Sequence, residues 1–114
     1  MISVFQTRFG AARGNCMQAV AASFLDLPLD AVPDFGQYGG FEAMCEFFKG
    51  YGYTLEQKPV GMVPRGYYFE VGVSTQLHEH IVICNMGRLV HDPNPHGRGL
   101  ILRRFVIQVD AAVS

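Results

Sequence analysis

Three features of the 114-residue sequence predict a single α+β domain spanning residues 1–114. In the first half apolar residues recur with a helical period. From Tyr51 onward the period falls to two, and β-branched and aromatic side chains become frequent. No repeat, heptad run or low-complexity tract divides the chain. Hydrophobic residues make up 49% of it and charged ones 17%, enough to build one core in a chain too short for two domains.

Residues 15–25 place Met17, Val20, Ala21 and Phe24 at the i, i+3, i+4, i+7 spacing of an amphipathic helix. Asn15 reads as its N-cap, with a side-chain oxygen for a first-turn N–H, and Pro28 stops its continuation. Cys16 therefore opens a helix. A second helix is expected over 41–49, with Phe41, Met44, Cys45 and Phe48 on one face and Gly50 as a left-handed cap. The bridge, 28–40, reads as loop. Its Phe35 and Tyr38, with Phe41, either cover the core or form a cleft wall or partner patch. Strands are expected at 53–58, 67–73, 79–85, 88–92 and 102–109, joined by hairpins into an antiparallel sheet packed on the first helix. Arg103 and Arg104 read as a solvated strand edge, and 110–114 as a mobile tail.

Nine Lys and Arg against ten Asp and Glu give a formal charge of −1, which provides no general field for a nucleic-acid backbone or an anionic membrane. No apolar run approaches the roughly 20 residues of a membrane span, and the first residues lack the pattern of a signal peptide. The expectation is a cytoplasmic protein without nucleic-acid or membrane partners. Three cysteines, Cys16, Cys45 and Cys84, are an odd number in a chain that already has a core, which favours reduced thiols over a disulfide scaffold. Cys45 and Cys84 read as buried small residues.

Cys16 is placed differently. At a helix start, free N–H groups and the positive end of the helix dipole favour a thiolate; the bland alternative is a small apolar residue on a core helix. In the strand from His78 to Cys84, Ile81 and Ile83 point to one face, and His78, His80, Val82 and Cys84 to the other. If Asn85-Met86-Gly87 is a three-residue loop pairing Cys84 with Arg88, His80 faces Asp92 at a Cβ separation of roughly 5 Å. A two-residue loop would put Asp92 on the opposite face. A carboxylate on one imidazole nitrogen holds the tautomer that lets the other accept a thiol proton, so Cys16, His80 and Asp92 form a candidate triad. Asp92 also has a purely structural reading, as the opener of the Asp92-Pro93-Asn94-Pro95 turn.

At these residues the sequence resembles the papain-like cysteine peptidases, within them the bacteriocin leader-peptide (double-glycine) peptidases, and small phage and bacterial proteins of that type. The likeness lies in Gly14-Asn15-Cys16-Met17-Gln18-Ala19, in Leu27-Pro28-Leu29-Asp30-Ala31-Val32-Pro33, in His80-Ile81-Val82-Ile83 and in Leu89-Val90-His91-Asp92-Pro93. It implies Cys16 as nucleophile, His80 as general base and then acid, and Asp92 as orienting acid. It also implies an oxyanion hole made by the Cys16 backbone N–H and an upstream glutamine, for which Gln6 is the only candidate. Its ten-residue separation from Cys16 exceeds the family's habit.

The resemblance implies hydrolysis of an amide, isopeptide or thioester bond in a peptide or protein substrate, without cofactor. The alternative is a catalytically silent papain-like module that binds a protein partner, suggested by the short walls a chain of this size can build. A zinc site among His78, His80, Cys84, His91, Asp92 and His96 is a weaker competitor, because no pair has a recognised ligand spacing. Arg98, between glycines, falls short of a phosphate-binding loop.

Overall fold

The computed structural model describes residues 1–10 and 13–111. Its elements run α1 (Cys16–Leu25), a 3-10 turn (Leu29–Ala31), α2 (Gly40–Lys49), β1 (Tyr53–Pro59), β2 (Tyr67–Ser74), β3 (Glu79–Asn85), β4 (Arg88–His91) and β5 (Leu100–Ala111). Both helices and all five strands of the predicted α+β domain are present. The strands form one antiparallel sheet in the order β1-β5-β2-β3-β4.

The helices share one face of this sheet. Val20, Ala21, Met44 and Phe48 from the helices pack with Phe69, Val71, Ile81, Ile83 and Ile107 in the main core, and Phe24 meets Phe48 and Phe69 within 6 Å between ring centroids. Alternation puts Tyr68, Val82, Cys84 and Val106 on the other face, in a smaller cluster. Cys84 is buried as expected; Cys45 is only half-buried.

Helix α1 is buried along more than one stripe, since Ala19, Ala22 and Ser23 are as inaccessible as Val20 and Ala21. The N-terminal arm covers the additional face. Ile2 N–H donates to Ser23 O at 3.0 Å, and Val4 N–H donates to Ser23 Oγ at 2.9 Å. The same arm reaches the far edge of the sheet, where His91 Nε2 donates to Val4 O at 2.7 Å.

Several expectations are corrected. Asn15 makes no side-chain cap; its amide is committed upstream, as described below. Helix α1 ends at Leu25 through Asp26 in the left-handed region, with Leu27 N–H bonding Ala22 O, before Pro28 is reached. Gly50 is right-handed at φ −62°, and the left-handed glycine is Gly52. The expected loop 28–40 contains the 3-10 turn, and Phe35 belongs to the core whereas Tyr38 is exposed. Strands β1 and β2 are not a hairpin, because β5 lies between them. Arg103 and Arg104 thus sit on an interior strand, exposed at their side chains, with Arg103 Nε 3.0 Å from Glu70. Asp110, expected in a mobile tail, pairs with Thr54 in the ladder; residues 112–114 of that tail lie outside the described residues.

The β3–β4 hairpin corrects the predicted register. Asn85 pairs with Arg88 and Cys84 with Leu89, so the loop has two residues, Met86 and Gly87, both at positive φ. That register alone would turn Asp92 away from His80. A bulge then shifts the pairing, so that Ile83 lies opposite His91, and the extra residue returns Asp92 to the His80 side.

Candidate active site

Four chain segments converge beside the N-terminus of α1. Cys16 begins the helix, His80 lies near the start of β3, Asp92 follows β4 and Gln6 comes from the N-terminal arm. Cys16, His80 and Gln6 line one cavity of about 440 Å³ between the helices and the sheet.

His80 and Asp92 are both buried, at 7% and 6% side-chain exposure, with His80 Nε2 2.6 Å from Asp92 Oδ1. This leaves Nδ1 free of Asp92, and the Cys16 thiol, which lines the same cavity, is near enough to act on the ring's protonation. Burial alone would push the His80 pKa down. The hydrogen bond to Asp92, the nearby Cys16 side chain and the Asp92 charge overcome it and raise the value to about 9. Asp92 moves the opposite way. Burial opposes its ionisation, but the bonds from His80 and from the Gly99 and Asn94 N–H groups hold its carboxyl below the usual range.

These shifts predict a stability profile. His80 is stabilising in full below its ordinary value of 6.5 and ceases to be as pH rises to about 9. Asp92 is stabilising above its ordinary 3.8 and ceases to be as pH falls through its lowered value. The pair therefore supports the fold best between those ordinary values. Melting curves should show the wild-type protein losing on the order of 3 kcal/mol between pH 6.5 and 9, a slope that His80→Ala removes. Parallel profiles in the two proteins would contradict it.

A collar of backbone holds the carboxylate. Oδ1 also accepts Asn94 N–H and Oδ2 accepts Gly99 N–H, each at 2.9 Å. A Cβ on Gly97 would lie 2.2 Å from Oδ2, so only glycine lets the chain close over Asp92. The same oxygen opens the turn and meets His80. Arg98 lies between these two glycines, and it is the glycines that close over the carboxylate.

The ten-residue gap between Gln6 and Cys16 is closed by Asn15. Its Oδ1 accepts Thr7 N–H and Arg8 N–H at 3.0 and 2.9 Å, while Nδ2 donates to Thr7 Oγ1 and Gln18 Oε1. Asn15 N–H reaches Arg8 O, and Gly14 N–H returns to Gly10 O at 3.0 Å. A Cβ on Gly14 would stand 2.6 Å from that oxygen, so only glycine lets position 14 come this close to Gly10. Gln6 is then fixed by its N–H to Pro93 O at 2.8 Å and by Nε2 to Arg8 O at 2.9 Å. Sequence reasoning missed this part of Asn15, although a buried-type amide beside a glycine and a cysteine was the available signal. Arg8 in turn pairs with Asp34, tying the arm to the segment before α2.

His78 lies just outside β3, with its carbonyl accepting Ser74 N–H. His91 binds Val4 O instead of facing the site. Among the described residues no three His, Cys, Asp or Glu side chains gather as metal ligands, and no helix is long and apolar enough to cross a membrane. Comparison of the chain with family models, with curated proteins and with solved structures gives no match.

Proposed function

We propose that the protein is a thiol hydrolase of papain-like type, cleaving an amide, isopeptide or thioester bond with Cys16, His80 and Asp92. One observation carries the reading: a buried imidazole 2.6 Å from a buried carboxylate, lining one cavity with the thiol that opens α1. The order of the three along the chain, on a helix start and around two consecutive antiparallel strands, supports the papain-like assignment.

In this mechanism the Cys16 thiolate attacks the acyl carbon while His80 holds the proton, stabilised by Asp92. The oxyanion receives the Cys16 N–H, one of the first-turn groups with no intrahelical acceptor, and the second N–H of the Gln6 amide, whose first is bonded to Arg8 O. Collapse breaks the bond to nitrogen or sulfur, and His80 protonates the leaving group. Water then attacks the thioester, gives its proton to His80 and releases the acid, restoring the thiol. Peptide or protein substrates suit this chemistry, and it requires no cofactor.

Alkylation by iodoacetamide, mapped by mass spectrometry, tests the pair without a substrate. Burial raises the pKa of Cys45, and burial with the neighbouring Glu70 pushes Cys84 to about 12. Both are slow internal references. Near pH 6.5 Cys16 should react at least about tenfold faster than either, and His80→Ala should remove that advantage. Equal Cys16 rates with and without His80 would overturn the hydrolase and leave a module that binds a partner.

A further inference from the structure

The cavity beside Cys16 extends far beyond the triad. Its floor is a row of residues in register across the sheet: Ile81 on β3 opposite Val71 on β2, and Val71 opposite Phe105 on β5. Ile107 opposite Gln57 carries it on to β1. Met17 and Phe41 line it from the helices. With the strand order β1-β5-β2-β3-β4, it crosses four strands. Three inter-strand steps of about 4.8 Å make roughly 14 Å, the length of about four extended residues at about 3.4 Å each.

We propose that this cavity is a channel for an extended, uncharged peptide of about four residues with apolar side chains, running across the sheet on one side of the bond cleaved. The inference rests on the thiol-hydrolase reading and names its substrate class. Three chemical features select that ligand. Apolar side chains line an open space of about 440 Å³, where a ligand's side chains restore the contacts that the protein's own do not make. The exposed rim carries Gln57 and Gln76, whose amides donate and accept as peptide bonds do; a plain alkyl chain would use neither. Among the described lining residues Glu79 is the sole Asp, Glu, Lys or Arg, so an acidic side chain away from the His80–Asp92 pair meets no Lys or Arg and one like charge.

The test uses chloromethyl ketones of acetylated Leu-Ala peptides of increasing length, with iodoacetamide as the small control. Cys16 alkylation should accelerate at least about 50-fold up to roughly four residues and then level off, as each buried apolar side chain adds binding. Glu in place of the distal Leu should cost about tenfold, and Gln57→Lys, a change at an exposed position on the edge strand, should restore it. Rates independent of length, or alkyl chloromethyl ketones outrunning peptides of equal length, would overturn the channel. If iodoacetamide labelling still depends on His80, the hydrolase reading survives that failure; if it does not, that reading falls as well.

Discussion

Cys16→Ala and His80→Ala are each expected to lower hydrolysis of an apolar peptide thioester by about a thousandfold or more, because thiol and base act as one unit. The two variants should differ in stability. Cys16 is half-buried and alanine keeps its backbone N–H, so its replacement should leave the melting midpoint near wild type. His80→Ala strips a buried carboxylate of its partner and should lower the midpoint below pH 6.5, where the pair is intact, while circular dichroism still reports the same fold. Thiol release from the thioester, followed with a chromogenic reagent, gives the activity. Undiminished turnover in either variant would remove the triad.

Asp92→Ala should be the most damaging substitution for the fold and site together. It removes the acceptor of the buried His80 N–H and of the Asn94 and Gly99 N–H groups at once, and leaving a buried partner uncompensated costs about 3–5 kcal/mol. Without the carboxylate, burial dominates and the His80 pKa drops below its present value of about 9. Turnover should fall by about 10²–10⁴-fold as the imidazole loses its fixed tautomer. Nuclear magnetic resonance titration of the His80 ring reads the shift directly, and a ring that titrates as in wild type would mean that Asp92 supports only its turn.

The correct contact between His80 and Asp92 was inferred through an incorrect register. The sequence predicts a three-residue loop of the type I plus bulge kind, with Gly87 left-handed; the chain uses a two-residue loop and carries its bulge further on, at Leu89-Val90. Each alteration moves Asp92 by one position in the ladder, so their effects on facing cancel. Neither is legible locally. Met86-Gly87 suits a two-residue turn only if Met86 accepts φ 54°, and the bulge answers to His91, which is drawn to Val4 O on the N-terminal arm. Asn15 teaches the same lesson: a strong capping residue by propensity, it spends its amide on Thr7, Arg8 and Gln18 because an arm arrives there from elsewhere in the chain.

By itself the sequence determined the elements. Both helices and all five strands follow from side-chain periodicity and from the residues that punctuate it, which act over a few positions and survive any tertiary arrangement. The same local logic placed Cys16 at a helix start. Tertiary structure alone decided the rest: the insertion of β5 between β1 and β2, the bulge that restores Asp92 to His80, the anchoring of Gln6 on the cavity that Cys16 lines, and the cavity across the sheet. These depend on register and on contacts between segments distant along the chain, where a shift of one residue reverses a side chain and only packing of the whole domain chooses among the alternatives.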